Sequence, residues 1–296
     1  MHRLFIFFQH IVPQHLLSRT VGSLANCKIV FVKNFLINIF IKKYNVDMSE
    51  AEQKTAADFS CFNDFFTRSL AAGKRPLAQD PGAIVCPVDG AVSAIGDIEA
   101  GQVFQAKGKS FSLTALLGGN PKLSALFNSG KFATLYLSPR DYHRIHMPIT
   151  GTLEEMIYVP GKLFSVNQTT AENIDNLFAR NERVICIFET ELGPMALILV
   201  GAMIVASIET VWAGQVAPSK LSQHDEHYRE QAPIVIRKGE EMGRFKLGST
   251  AIVLFPPDMM NWDAALQTNS AIRLGQCLGT RTGSGSIQGK GQNFIN

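Results

Sequence analysis

The fold of this chain is decided by the stretch FKLGSTAIVLF, which occupies residues 245–255. Its second half, Ala251 to Phe255, is a continuous apolar run. A short apolar run with β-branched residues is typical of a strand that is buried on both faces of a sheet. Gly248, Ser249 and Thr250 directly precede the run, so the stretch predicts an interior strand with a hydroxyl group at its start.

Short β-branched or alternating runs recur from about residue 84 onward. They are Ala83 to Ile95, Phe132 to Ser138, Gly151 to Val159, Arg183 to Phe188, Met195 to Thr210 and Ile234 to Arg237. Turn-forming pairs such as Asp89-Gly90 and Pro160-Gly161 separate them. The pattern predicts a β-dominated domain over residues 61–280.

Two segments near the C-terminus depart from this pattern. Gly214 to Gln231 is polar and carries most of the charge of its neighbourhood, which favours an exposed loop. Residues 281–296 are rich in Gly, Ser and Gln and have little apolar surface to bury, which predicts a disordered tail.

The N-terminal region, residues 1–60, has a different character. Residues 1–46 contain six basic residues and no acidic one, although the net charge of the whole chain is only +3. The apolar stretches Leu4 to Ser18 and Ile29 to Ile41 fall short of the roughly 20 residues that a spanning helix needs. Lys33 interrupts the second stretch. We expect two amphipathic helices that lie on an anionic membrane surface, with their lysines at the headgroups.

Two other interpretations of this region stay open. Met1-His2-Arg3 before an apolar run resembles the start of a cleaved signal peptide. The two helices are also compatible with ordinary core elements that pack against the following domain. With the helices retained, the fold class is α+β, with N-terminal amphipathic helices followed by a β-dominated catalytic domain.

Composition excludes several classes of protein. The small net charge and the lack of a helix-turn-helix, zinc-finger or RNP motif argue against a nucleic-acid partner. The five cysteines lie far apart and form no CxxC pair, which indicates reduced thiols in a cytoplasmic protein.

Three short stretches carry an acid, a base and a nucleophile. Asp89 lies at a turn in PVDG (87–90), and His143 and His146 lie in DYHRIHMP (141–148). Ser249 follows Gly248 in LGST (247–250). A carboxylate that orients an imidazole, and an imidazole that takes a hydroxyl proton, form a base-activated nucleophile. Taken alone, each stretch is more often structural than catalytic.

Competing motif interpretations fail on spacing. His143 and His146 have no third His or Cys at a recognisable zinc spacing. Ser249 lacks the second glycine of a nucleophile elbow, since Ala251 stands there. The sequence HDEH (224–227) favours a solvated loop over a metal site.

Taken together, these stretches resemble the phosphatidylserine decarboxylase family of the bacterial, membrane-bound type. The resemblance extends from the N-terminal helices to about residue 256, with departures in the polar loop 214–231 and in the last forty or so residues. The motifs that carry it are FFTR (65–68), PVDG (87–90), YHRIHMP (142–148), PGKLFSVN (160–167), NERV (181–184), VGA (200–202), SIET (207–210) and GRFKLGST (243–250).

The resemblance implies that the chain cleaves itself between Gly248 and Ser249. The products would be a β chain, 1–248, and an α chain, 249–296, that remain in one enzyme. Ser249 would become a pyruvoyl group, the only cofactor, with no metal. Its ketone would form a Schiff base with the amine of phosphatidylserine and accept the electrons left when carbon dioxide departs, which yields phosphatidylethanolamine.

This hypothesis assigns a catalytic or binding role to each candidate residue. His146, oriented by Asp89, would deprotonate Ser249, and His143 is the candidate that returns a proton to the product. The resemblance further suggests that Phe164 and Asn167 line the substrate site.

The resemblance also suggests a homodimer and a peripheral location on the cytoplasmic face of the inner membrane. Two other functions stay open: a serine hydrolase in which Ser249 survives uncut, and a membrane-binding protein without turnover.

Overall fold

The computed structural model describes residues 2–203, 207–219, 223–228, 232–246 and 249–282, with only the backbone of residues 2–4 and of Ser249. The fold confirms the predicted α+β class, because three N-terminal helices precede a strand-rich body. The helices are α1 (His2–Ile11), α2 (Gln14–Ala25), α3 (Val30–Tyr44), α4 (Phe62–Phe66), α5 (Leu113–Leu116), α6 (Pro121–Phe127), α7 (Gln168–Asn173) and α8 (Leu177–Arg180). A single turn of 3-10 helix, Ala56–Asp58, lies between α3 and α4.

The strand-rich body contains most of the ordered chain. Its strands are β1 (Ala83–Val85), β2 (Gly90–Asp97), β3 (Gln102–Ala106), β4 (Lys109–Ser112), β5 (Lys131–Leu137), β6 (Arg144–His146), β7 (Gly151–Val159), β8 (Arg183–Thr190), β9 (Gly193–Val200), β10 (Ser207–Thr210), β11 (Gly214–Ala217), β12 (His224–His227), β13 (Val235–Ile236), β14 (Glu241–Lys246), β15 (Ser249–Phe255), β16 (Met260–Trp262), β17 (Ala271–Ile272) and β18 (Cys277–Arg281).

A nine-stranded antiparallel sheet forms the centre of the body. Its strand order is β12-β7-β8-β9-β15-β5-β2-β17, and β13 also pairs with β7. The predicted interior strand is β15, which lies between β5 and β9. Ala251 and Val253 face one hydrophobic core and Ile252 and Leu254 face the other, all fully buried. The apolar run therefore reflects burial on both faces, as the sequence predicts.

Three smaller sheets flank this one. Their orders are β11-β10-β14-β6, β1-β18-β16 and the hairpin β3-β4. The chain leaves the four-stranded sheet at Lys246 and starts β15 of the large sheet at Ser249. Residues 247 and 248, which lie outside the described residues, therefore connect two sheets.

The prediction that Gly214 to Gln231 is a loop is wrong for part of the segment. It contains β11, which pairs with β10, and β12, which pairs with β7. The residues of β12 are mostly exposed, as expected, but backbone hydrogen bonds to a neighbouring strand hold them in a sheet. Polar edge strands carry no apolar pattern that the sequence would reveal.

The predicted tail begins too early by at least one residue. Arg281 ends β18, which lies between β1 and β16. Residues 283–296, the rest of that prediction, lie outside the described residues.

Helices α1 and α2 are fastened to the body by buried glutamines. The Oε1 atom of Gln14 accepts the backbone N–H of Leu163 at 2.7 Å, and Oε1 of Gln9 accepts that of Ser165 at 2.9 Å. Both glutamines are at most 6% exposed. The alternative in which these helices pack on the following domain is thus correct for one of their faces.

Large apolar side chains are exposed along α1, α2 and α3, including Ile29 at the N-cap of α3. They are Phe5, Phe7, Phe8, Ile11, Leu16, Leu24, Ile29, Val30, Phe31, Phe35 and Ile39, each between 38% and 80% exposed. Among the described residues no single helix is long and apolar enough to cross a membrane; α2 and α3 pass that test only as a pair bent by 114°.

Lys33 does not lie at the surface as expected. It is 5% exposed, and its Nζ donates to the carbonyl of Ala56 at 3.0 Å and to Oδ1 of Asn34 at 2.8 Å. The lysine donates to a carbonyl of the 3-10 turn that packs against α3. The periodicity of the helix cannot distinguish a lysine in this role from a lysine at the surface.

Candidate active site

The topology brings Asp89 and Ser249 to the same end of the large sheet. Ser249 begins β15 opposite Leu137, the last residue of β5. On the other side of β5, Ala91 of β2 pairs with Tyr136. Adjacent strands are about 4.8 Å apart, so the backbones at Ser249 and at the start of β2 are separated by about 10 Å.

Gly90 permits this close approach. Its φ is +154°, and a Cβ atom there would lie 2.1 Å from the carbonyl oxygen of Tyr136. A side chain would therefore push the start of β2 away from β5. Because Gly90 lets β2 start close to β5, it sets the position of the preceding residue, Asp89.

Asp89 is held by a buried ion-pair network. Arg75 donates from Nε to Oδ1 at 2.9 Å and from Nη2 to Oδ2 at 2.6 Å, and the backbone N–H of Leu274 donates to Oδ1 at 2.8 Å. Arg75 also binds Glu50 at 2.6 Å. The hydrogen bonds to both carboxylates raise the pKa of Arg75 and outweigh the effect of burial. The network therefore keeps its charges in the folded chain.

His146 is oriented by a backbone carbonyl. Its Nδ1 lies 2.8 Å from the carbonyl oxygen of Gly239, and its Nε2 lies 2.9 Å from the hydroxyl of Tyr142. Because a carbonyl only accepts, we assign the proton to Nδ1, which leaves Nε2 to accept from the tyrosine. Burial lowers the pKa of His146, while the bond to Gly239 and the charge of Asp89 act in the opposite direction.

His143 is completely buried. Its Nδ1 lies 2.9 Å from the carbonyl oxygen of Asp141, and its ring packs on Phe66 with 4.0 Å between centroids. Its Nε2 has no hydrogen-bond partner among the described residues. Burial lowers the pKa of His143 to about 3, so the ring is neutral at physiological pH and offers a bare acceptor.

The register of β14 places the two histidines beside opposite ends of that strand. His146 pairs with Glu241 at the start of β14. The carbonyl of His143 accepts the N–H of Phe245, next to Lys246, the last residue of the strand. His143 is therefore the closer of the two to the end of β14.

Asp89 does not bind His146 directly. Each of the two residues has other partners, so Gly239 does the orienting that the sequence hypothesis gave to Asp89. Sequence reasoning missed Arg75, Tyr142 and Gly239. Tyr142 lies in the same motif as both histidines and could have been predicted from it, whereas Arg75 and Gly239 join the site only through tertiary contacts.

A cavity of about 300 Å³ lies beside Asp89. Glu50, Arg75, Asp141 and Tyr142 are among the residues that line it. Arginines and carboxylates both face this space, so it has no preference for one sign of charge.

Phe164 and Asn167 do not line this cavity. Oδ1 of Asn167 accepts the N–H of Thr170 at 3.0 Å and so caps α7. Phe164 is 2% exposed and packs under the guanidinium of Arg180 at 4.8 Å. Both have structural partners, and their suggested contact with substrate stays a prediction.

One group in the described part of the chain has the composition of a metal site. Ligand atoms of Glu155, Asp225 and His227 lie within 4.8 Å of one another. They lie on β7 and the exposed edge strand β12, which are three and four strands away from β15. The group is separate from the end of the sheet where Asp89 and Ser249 stand.

Comparisons with known proteins identify one family. The family model described as phosphatidylserine decarboxylase matches residues 62–280, and a second, described as PSD, matches residues 4–45. A phosphatidylserine decarboxylase proenzyme of Ectopseudomonas mendocina is 60% identical over 279 residues, which is 94% of this chain and 98% of the relative. The proenzyme of Pseudomonas aeruginosa is 59% identical over 278 residues, which is 93% of this chain and 96% of the relative.

Proposed function

The chain belongs to the phosphatidylserine decarboxylase family, and from this premise we propose that it cleaves itself and converts phosphatidylserine into phosphatidylethanolamine and carbon dioxide. The observation that carries the proposal is the 60% identity to a phosphatidylserine decarboxylase proenzyme over 94% of the chain. Ser249, at the start of a buried central strand, is the residue that we assign to both reactions.

We place the cleavage between Gly248 and Ser249. The hydroxyl of Ser249 attacks the carbonyl of Gly248, and the acyl group moves from nitrogen to oxygen. Loss of the α-proton of Ser249 then eliminates the carboxylate of Gly248. The dehydroalanine that remains tautomerises and takes up water, which releases ammonia and leaves the pyruvoyl group. The products are the β chain, 1–248, and the α chain, 249–296.

His146 is our candidate base for the first step. Its neutral Nε2 accepts a hydrogen bond from the hydroxyl of Tyr142, which precedes His143 in the chain. We assign to this hydroxyl the transfer of the serine proton to His146. Asp89 acts by charge, since its carboxylate favours the imidazolium that forms. General-base help of this kind contributes roughly 10² to 10⁴ in rate.

The residues at this end of the sheet fit a pyruvoyl group made from Ser249. The bare Nε2 of His143 is buried and unpaired in the described chain, next to the strand that leads to the cleaved bond. The pyruvoyl carbonyl supplies an electrophile for the substrate amine and a sink for the electron pair left by carbon dioxide.

His143 is our candidate for the last proton transfer. The ammonium group of the substrate must lose a proton before its nitrogen can react, and Nε2 of His143 is the acceptor; after carbon dioxide leaves, the same nitrogen donates that proton to the α-carbon. The surrounding apolar ring of Phe66 excludes water, so the proton is returned to the product instead of being exchanged with solvent. Removal of the imidazole should therefore affect decarboxylation more than cleavage.

We propose that residues 1–60 hold the enzyme on the cytoplasmic face of the inner membrane as a peripheral protein. The basic residues of this region and the exposed apolar side chains of α1 to α3 support this placement. Residues 61–280 would then form the catalytic domain. The resemblance to the family also favours a homodimer.

The direct test is release of carbon dioxide from vesicles that contain phosphatidylserine. The wild-type chain should turn the lipid over, and Ser249→Ala should not. Ser110→Ala, on a surface hairpin, is the matched control and should behave as wild type. Turnover by Ser249→Ala would remove Ser249 from the mechanism.

A further inference from the structure

A second cavity, of about 400 Å³, lies where the corner between α1 and α2 meets the body. Its lining includes four side chains that are basic or can become so: His10, His15, Lys162 and Arg180. The other lining residues are glutamines and apolar residues, and no carboxylate of the described chain lines it. The cavity is therefore suited to an anion.

Lys162 and Arg180 form no ion pair within 4.0 Å of a carboxylate among the described residues. Lys162 is exposed and has no side-chain partner in the described part of the chain. The hydrogen bond that Arg180 makes within the described chain is to the backbone carbonyl of Asp175, at 3.3 Å, and its guanidinium stacks on Phe164. The nearby carboxylate of Asp175 pairs with Lys109, and that of Glu182 accepts from Tyr158.

The backbone adds to the positive electrostatic potential of the cavity. The first turn of α2, a helix of 12 residues, contributes Gln14, His15 and Leu16 to the lining. Pro13, at the cap position, provides no capping side chain, and the first turn contains no acidic residue. The free N–H groups of a helix start favour phosphate-like anions and here reinforce the basic side chains.

Exposed apolar side chains lie on α1 and α2 close in sequence to the residues that line the cavity, and we call them its apolar rim. Phe7 is 58% exposed, Phe8 48%, Ile11 55% and Leu16 62%. A water-soluble anion has no apolar group to contact this rim, whereas a phospholipid combines a phosphodiester with acyl chains. The combination selects a membrane lipid as the occupant.

A short chain of contacts joins this cavity to Ser249. Asn181 is fully buried and binds the backbone of Phe164 through both amide atoms, at 3.1 and 2.9 Å. Its Nδ2 also donates to the carbonyl of Gly201 at 2.8 Å. Gly201 follows Val200, which pairs with Thr250 beside Ser249. A continuous set of contacts therefore connects the wall of the cavity to the start of β15.

We propose that this cavity binds the phosphodiester of phosphatidylserine at the bilayer surface, with Lys162 and Arg180 as its main contacts. This inference rests on the proposed function. It explains why the helices that face the membrane are fastened by Gln9 and Gln14 to the segment that contains Leu163 and Ser165.

The test compares the double variant Lys162→Gln/Arg180→Gln with Lys107→Gln/Lys122→Gln, which removes two surface charges elsewhere. Both variants should cleave themselves as fully as the wild type. For phosphatidylserine in vesicles of phosphatidylcholine, KM of the first variant should rise about tenfold or more, because two charge-assisted contacts are lost. Its kcat should stay unchanged. The single variant Lys162→Gln, which removes no side-chain hydrogen bond or ion pair of the described residues, should show part of the same rise in KM.

Water-soluble glycerophosphoserine distinguishes a lipid site from a general phosphate site. We expect it to compete with vesicles only weakly, because it lacks the acyl chains that the apolar rim requires. Competition at concentrations similar to those of the lipid would overturn the lipid assignment. An equal KM for the two double variants, with an active wild type, would overturn the site itself. A wild type that neither cleaves nor releases carbon dioxide would instead refute the proposed function.

Discussion

His143 and His146 lie three residues apart, but their surroundings give them different chemistry. His146 has a partner on each nitrogen, whereas Nε2 of His143 is bare and enclosed. Burial lowers the pKa of both rings. Two neutral imidazoles with different partners are suited to two different proton transfers.

The first prediction separates these two roles. His146→Gln should slow self-cleavage by roughly 10² to 10⁴, because the base is lost, and Tyr142→Phe should slow the same step. His143→Gln should still cleave but lose decarboxylation. The extent of cleavage is measured by denaturing electrophoresis, and turnover by carbon dioxide release. Normal cleavage in His146→Gln would contradict the assignment of the base.

The second prediction concerns pH and stability in the uncut Ser249→Ala chain. Below pH 6.5 the unfolded chain protonates His143, whereas the folded chain does not do so until about pH 3. The unfolded state therefore binds more protons in this window, and stability falls as pH falls. Each such histidine adds a slope of about 1.4 kcal/mol per pH unit.

Urea unfolding at a series of pH values measures that slope. Adding His143→Asn should reduce the slope between pH 6 and 4, whatever its effect on stability at pH 7. An unchanged slope would show that His143 is not held neutral in the folded chain.

At the scale of secondary-structure elements, burial decides what the sequence reveals. The strand β15 was predictable because both of its faces are buried, so every residue from Ala251 to Phe255 is apolar. The edge strand β12 was not predictable from the sequence, because its hydrogen bonds to β7 come from the backbone alone. The same limit applies to the site, because Arg75 contacts Asp89 only through the tertiary fold, which no short sequence motif reveals.

The third prediction tests the buried role of Lys33. Lys33→Met should lower the free energy of unfolding by about 1 to 3 kcal/mol, since the carbonyl of Ala56 loses its donor. Lys42→Met, in the exposed last turn of the same helix, is the matched control and should change stability by less than about 0.5 kcal/mol. If Lys33→Met weakened vesicle binding and left stability unchanged, the headgroup role expected from the sequence would be restored.

At the scale of the whole molecule, the proposed cleavage after residue 248 would leave the sheets intact. Three of the four described strands of the α chain pair with strands of the β chain: β15 with β5 and β9, β17 with β2, and β18 with β1. The fourth, β16, pairs with β18. The N–H of Leu274 also holds Asp89 across the two products. The fragments should therefore co-migrate in size-exclusion chromatography and separate only in denaturant.

The most direct test of self-processing is the intact mass of purified wild-type protein beside Ser249→Ala. We expect two wild-type fragments that meet between Gly248 and Ser249, with the smaller one blocked by a pyruvoyl group, and one uncut Ser249→Ala chain. A single full-length mass for the wild type after long incubation with phosphatidylserine vesicles would contradict the account.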